Sequence, residues 1–288
     1  LELPAGTSSV IFNVGSNIDP ILPKIKDGPC AFSIAFEPLA HASIEPHPQL
    51  LSVPAAVSSA SGLATMYDYG AHSVSSSLAK ARGPSFWNYG LQGDHGSGQT
   101  KLVPVLKFSD ILQAIPPHIP ILFVKTDVQS HDFEVISSAI HVLVERKVPL
   151  LRTEVMLDQT MRYQNASNDL CVHWLPFMNK HGYMLDHLDP PRKGWNTPGI
   201  IARRCQKQIR KFDGYTYGKR LKELDALWRL ASVYPQNKSV EDYTYPVIVP
   251  NTSDPHYTRL QKEQEPFLPK FARLDYAKCN ESNSVSAS

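Results

Sequence analysis

Neither sign of charge dominates this chain. Its 29 lysines and arginines face 27 aspartates and glutamates over 288 residues, a net of +2. No field of one sign exists to steer the molecule to nucleic acid, and nucleic acid is not expected as a partner. Charged residues make up 19% of the chain and hydrophobic residues 42%, a balance that favours a folded core over a disordered polymer. No apolar run approaches the ~20 residues that a helix needs to cross a bilayer. The sequence opens on Leu1 rather than Met, so membrane association is expected only through a signal or anchor upstream. Glycine is scarce beside proline, 15 against 24, which predicts stiff loops and abrupt element ends. No Cys-x-x-Cys pair occurs, which removes zinc ribbons and thioredoxin-like redox sites. Gly-x-Ser-x-Gly, Walker and His-Glu-x-x-His sequences are lacking too.

Four cysteines are present, Cys30, Cys171, Cys205 and Cys279. Four acceptor sequences for N-glycosylation begin at Asn165, Asn237, Asn251 and Asn280. Together they point to the secretory pathway, the Golgi lumen or the extracellular space, with the cysteines oxidised. Cys171 and Cys205 flank one predicted helix–strand unit, and this is the preferred pairing. The rest of the connectivity stays open.

Short apolar runs over 9–14 and 31–36 read as buried strands, the first ending at Gly15 and the second at Glu37-Pro38. A third strand is expected over about 50–57, with 63–69 beside it, and a long loop over 80–100. Residues 102–106 read as a strand, and Ser109 is placed to cap a short helix over 110–115. Ile121–Val124 form an apolar strand ending in Lys125-Thr126-Asp127. Phe133, Ile136, Ile140, Leu143 and Val144 then recur at helical spacing over 132–147. A strand over 150–155 ends on a carboxylate, and a helix over 169–180, bent at Pro176, leads to a strand over 183–188. The spacing of Leu221, Leu224, Leu227, Trp228 and Ala231 predicts an amphipathic helix over 218–232. A tail disordered from about 280 is expected at the end.

Alternating strands and helices with apolar strands predict an α/β fold: a mostly parallel, Rossmann-like sheet with helices on both faces. The division expected is a domain over 1–212 and an irregular extension over 213–288. Ligands of such sheets lie at the carboxyl ends of the strands, where strand order reverses. Three strand ends here carry polar groups: Gly15-Ser16-Asn17, Glu37, and Lys125-Thr126-Asp127. A glycine turn followed by an acid on the next strand suits a nucleoside, because the acid accepts hydrogen bonds from both ribose hydroxyls. One glycine without a phosphate-cradling loop favours a cofactor that lacks pyrophosphate, and S-adenosylmethionine fits. The expected cofactor residues are Asn13, Gly15, Ser16, Asn17 and Glu37, with Ala56 and Val57 at the end of the third strand.

Residues 125–136, Lys-Thr-Asp-Val-Gln-Ser-His-Asp-Phe-Glu-Val-Ile, resemble the Lys-x-Asp-x-Glu-Gly-x-Glu motif of FkbM-type methyltransferases. Lys125, Asp127 and Asp132 fall at the matching positions. Phe12-Asn13-Val14-Gly15-Ser16-Asn17 is similar to that family's Asp-Val-Gly-Ala-Asn turn. Phe36-Glu37-Pro38 matches its Phe-Glu-Pro, and Arg152-Thr153-Glu154 its strand ending in Glu. The resemblance covers roughly residues 9–190 and implies a class I methyltransferase fold that uses S-adenosylmethionine. It implies Asp127 as base or acceptor-orienting group, with Lys125, His131 and Asp132 shaping the site and Glu154 on the acceptor side. The chain departs from the family at Asn13 (Asp), Asp19 (Gly), Gln129 (Glu) and Ser130 (Gly).

Two readings follow. The first is an O-methyltransferase acting on a small-molecule or glycan acceptor, a carbohydrate hydroxyl in particular. The second, prompted by Asn13, Asp19 and Gln129, is an inactive relative that binds glycan or protein on the same scaffold. No metal site is expected: His41, Glu45 and His47 lie among prolines at spacings that fit no helix pair. His173, His181 and His187 read as surface or core residues. The basic run Arg203–Lys211 reads as a solvated helix face.

Overall fold

A computed structural model of the chain describes residues 2–17, 20–24, 27–28, 30–39, 44, 46–68, 76–80, 99–156, 167–189, 201, 203, 205 and 223–233. Strands β1 (Ser9–Val14) and β2 (Ala31–Phe36) are buried at every residue, as sheet strands covered on both faces must be. β3 (Leu50–Val53) pairs parallel with β2, and β2 with β1. On the other side β1 pairs parallel with β7 (Ile121–Thr126), and β7 with β8 (Leu150–Met156). Chain order thus runs outward from β1 in one direction and from β7 in the other. The reversal falls between β1 and β7.

A second, three-stranded sheet has the order β4 (Ala56–Ser58), β6 (Gln99–Lys107), β5 (Gly62–Asp68). The single strand expected over 50–57 is therefore two. Pro54 separates them, having no N–H to donate to a ladder, and β4 crosses to the other sheet. β5 pairs antiparallel with β6 and not with the 50–57 segment. The long loop expected over 80–100 lies largely outside the described residues, as does the tail from 280.

Helix α1 (Phe108–Gln113) starts before Ser109, so that side chain does not cap it. α2 (Asp132–Glu145) buries Val135, Ile136, Ala139, Ile140 and Leu143 against the main sheet, as its apolar spacing demands. The element expected over 169–180 is a π-helical turn, Leu170–Trp174, leading into α3 (Leu175–Lys180), with Pro176 in the first turn of α3. Asp169 caps the π turn by accepting from the amides of Cys171 and Val172, both at 2.8 Å.

The helix expected over 218–232 is instead β10 (Glu223–Leu230). It lies antiparallel between β8 and β9 (Tyr183–Asp189), giving the order β3-β2-β1-β7-β8-β10-β9. Its apolar residues face both sides of the sheet, so they satisfy helical spacing as well as strand pairing. Trp228 stacks on Trp174 and donates from Nε1 to Thr153 Oγ1 at 2.9 Å. Residues 223–230 are therefore part of the central sheet.

Cys171 and Cys205 form a disulfide with a Cα–Cα distance of 5.0 Å, as expected. Both are buried, and Cys30 is disulfide-bonded as well. Among the described residues no helix is long and apolar enough to cross a membrane.

Candidate active site

The chain turns sharply as it leaves β1. Gly15 has φ +74°, and its N–H and that of Ser16 donate to the Phe36 carbonyl at 3.0 and 3.1 Å. The Asp127 N–H donates back to the Val14 carbonyl at 2.9 Å. A β-carbon on Gly15 would overlap the Asp127 carbonyl oxygen and lie 2.8 Å from its carbon. Asn17 follows in the left-handed region, φ +47°. Its N–H donates to Glu37 Oε2 at 2.9 Å, while the Leu39 N–H donates to Oε1 at 3.1 Å. Two backbone donors thus fix the Glu37 carboxyl at the end of β2. Burial raises its pKa above the usual carboxylate value, and those two amides oppose the rise.

Above this turn opens a cleft. Gly15, Asn17 and Glu37 line one side, and Asp127, Val128 and Gln129 close the end toward β7. The opposite wall comes from the second sheet: Ala56, Val57, Met66 and the segment Ser76–Leu78. The cleft sits at the carboxyl edge of the sheet where strand order reverses, the place expected for a ligand of this architecture.

Beside the cleft, polar groups line up by register. Asn13, Lys125 and Arg152 lie side by side across β1, β7 and β8, all three buried. Neither side-chain atom of Asn13 has a hydrogen-bond partner. Lys125 Nζ donates to Asp127 Oδ2 at 3.1 Å, and Gln129 Nε2 donates to Asp127 Oδ1 at 3.2 Å. The same Gln129 nitrogen reaches Glu154 Oε1 at 3.4 Å. Arg152 donates from Nε to Asp225 on β10 at 2.9 Å. Burial pushes the Asp225 carboxyl up, against the pull of Arg152.

The sequence-based candidates divide into three groups. Gly15, Asn17, Glu37, Ala56, Val57 and Asp127 line the cleft. Asn13 and Ser16 are buried beneath its floor, and Lys125 and Glu154 join it through Asp127 and Gln129. His131 and Asp132 stand apart from its lining. His131 Nε2 pairs with Ser58 Oγ at 2.9 Å, tying α2 to β4, and burial holds its imidazole below the ordinary value. Sequence reasoning missed the wall built by Met66 and Ser76–Leu78, where nothing in the residue pattern marks a site. It also missed Asp225, hidden in a segment read as a helix. Asp19 and the four glycosylation acceptors lie outside the described residues, as does most of the basic run.

Asp132 is completely buried at the start of α2 and accepts from the Val128 N–H at 3.3 Å. Burial, with the nearby Asp127 charge, pushes its pKa up from 3.8 to about 7. The folded chain therefore keeps a proton that the unfolded chain releases between those values. Stability should fall as pH rises from about 4 to about 7 and level off above. Asp132→Asn keeps the acceptor for Val128 and should flatten that slope. Urea unfolding of both proteins at about pH 5 and about pH 8 checks this, and equal slopes would refute it.

The family model for the FkbM methyltransferase domain matches residues 13–185. The chain belongs to this family. The match starts at Asn13 in β1 and ends within β9, so it takes in both sides of the cleft, while β10 lies beyond it. Membership classes the protein as an S-adenosylmethionine-dependent methyltransferase. No curated protein and no solved structure matches the chain.

Proposed function

We propose that the protein methylates a carbohydrate hydroxyl in an oxidising compartment of the secretory pathway, with the cofactor held at the Glu37 end of the cleft and the acceptor at the Asp127 end. The observation that carries this reading is that Glu37 and Asp127, from two strand ends on opposite sides of β1, line one cleft. The residues present fit S-adenosylmethionine. A carboxyl clamped by two backbone amides is poised to accept from two ribose hydroxyls, and the apolar wall of Ala56, Val57 and Met66 suits an adenine face. When bound, the cofactor supplies an electrophilic methyl group on a sulfonium.

The chain's own work is alignment and proton removal. A sugar hydroxyl is roughly as weak an acid as water, with a pKa of about 15–16, so a base must take its proton as oxygen bonds to the methyl carbon. Asp127 is half-exposed at the cleft and is held by Lys125 and Gln129. Each of its oxygens retains a lone pair for a hydroxyl. The buried Cys171–Cys205 bridge and the bonded Cys30 support an oxidising compartment, and that compartment favours a glycan acceptor.

Calorimetry with S-adenosylmethionine tests the cofactor end. Glu37→Ala should weaken binding by about 1.5–3 kcal/mol, roughly 10- to 150-fold, with the fold intact by circular dichroism. An unchanged dissociation constant would remove Glu37 from the cofactor site. The unpartnered amide of Asn13 favours a second reading, a non-catalytic binder on the same scaffold. Absence of binding at millimolar cofactor would select it.

A further inference from the structure

Three serines tie the second sheet and the segment beside it to one stretch of chain next to the cleft. Ser58, at the end of β4, pairs through Oγ with His131 Nε2 at 2.9 Å, and Ser59 Oγ donates to Glu134 Oε1. Ser77, on the cleft wall beside β5, donates from Oγ to the Gln129 carbonyl at 2.8 Å and lies 3.5 Å from that of Val128. The partners all fall between the end of β7 and the first turn of α2. Ser77 is only 1% exposed. Its backbone exchanges two hydrogen bonds with Tyr67 on β5, at 2.9 and 3.1 Å, and its Oγ accepts from the Ala79 N–H at 3.0 Å. A hydroxyl has one hydrogen to give, and here it goes toward the 128–129 carbonyls.

The backbone that receives it is strained. Gln129 and Ser130 have φ +52° and +70°, two consecutive left-handed residues without a glycine. Such a backbone persists only when its surroundings hold it. The Ser130 hydroxyl is buried without a hydrogen-bond partner among the described residues, so that side chain does not offset the strain. Much of the site depends on this turn. Val128 and Gln129 line the cleft just before it, and Val128 Cγ1 rests 3.1 Å from where a β-carbon on Gly15 would stand.

We propose that Ser77 is a positioning residue: its hydroxyl holds the Gln129 carbonyl, keeps the Gln129–Ser130 turn left-handed, and so keeps Val128 and Gln129 on the wall of the cleft. The inference rests on reading that cleft as the methyl-transfer site.

Calorimetry with S-adenosylmethionine on four proteins tests it: wild type, Ser77→Ala, Ser130→Gly and the two changes together. Ser77→Ala should weaken binding about 3- to 10-fold, the worth of one hydrogen bond. Glycine adopts the left-handed conformation without strain. In the Ser130→Gly background the same change should therefore weaken binding less than about 2-fold. Ser77→Thr keeps the hydroxyl and should bind within about 2-fold of wild type. Equal losses in both backgrounds would overturn the proposal, because Ser77 would then act on its own wall and not through the turn. No loss in Ser77→Ala would overturn it too, as would a folded Ser77→Thr protein as weak as Ser77→Ala. If Ser77→Thr fails to fold, the four-protein comparison decides. Urea midpoints of the same four proteins repeat the comparison without a ligand. Ser77→Ala should lower the midpoint less after Ser130→Gly than in wild type, and an equal drop would again overturn the proposal. Absence of S-adenosylmethionine binding by the wild type would sink the methyl-transfer reading, while the midpoints still decide what Ser77 does to the turn.

Discussion

Replacing Gly15 with alanine should cost about 4–5 kcal/mol of stability, or leave a folded fraction that no longer binds S-adenosylmethionine. Two independent penalties meet at this position. The φ of +74° lies where an L side chain is strained. The space a methyl needs is filled by backbone, not by a flexible side chain: the Asp127 carbonyl overlaps it, and Val128 Cγ1 lies 3.1 Å away. Asp127, whose carbonyl fills this space, is itself tied to the end of β1, its N–H donating to the Val14 carbonyl at 2.9 Å. The Glu37 and Asp127 ends of the cleft therefore share one backbone contact at Gly15, and damage at the first should reach the second. Urea unfolding and cofactor calorimetry on the same preparation check this. A stability within about 0.5 kcal/mol of wild type together with an unchanged cofactor affinity would show that the turn relaxes freely.

The legible parts of this fold are those where one physical constraint acts alone. β1 and β2 are buried on both faces, so each appears as a largely apolar run; β8 is buried throughout as well, though it carries Arg152, Thr153 and Glu154. The polar groups that follow β1, β2 and β7 stand out because buried strands leave no other reason for them. Those strand ends bring Gly15, Asn17, Glu37 and Asp127 to one cleft. β10 was illegible because two constraints agree. A central strand flanked by β8 and β9 is apolar on both faces, and Leu224, Leu227 and Trp228 then also fall at helical spacing. The opposite wall was illegible for another reason. Ser77 acts through one hydroxyl and a bridge to Tyr67, and a serine in a polar stretch carries no periodic signal. The break between β3 and β4 was written in Pro54, yet proline marks only where a ladder stops. It says nothing of which sheet the chain joins next.

Asp127→Asn should reduce kcat for methyl transfer about 10²–10⁴-fold while cofactor affinity stays within a few-fold. The substitution keeps the side chain's size. One oxygen can still accept from Lys125 Nζ, now 3.1 Å from Oδ2. The new amide faces Gln129 Nε2, donor to donor, unless one of them turns, so Glu154 should be disturbed as well. Glu37 is clamped by the amides of Asn17 and Leu39, and Asp127 reaches it only through its charge, which helps raise the Glu37 pKa, so an effect on cofactor affinity beyond a few-fold is not expected. The two roles open to Asp127 separate in the kinetics. A base lost at the transition state lowers kcat and kcat/KM together, and the acidic limb of the pH–rate profile should flatten. A group that only orients the acceptor raises KM and leaves that limb in place. Methyl transfer from labelled cofactor to a panel of glycan acceptors, followed across pH, distinguishes these outcomes. Wild-type kcat and KM in the variant would remove Asp127 from the mechanism and move the search for a proton acceptor to Glu154, the next carboxylate along the strand ends.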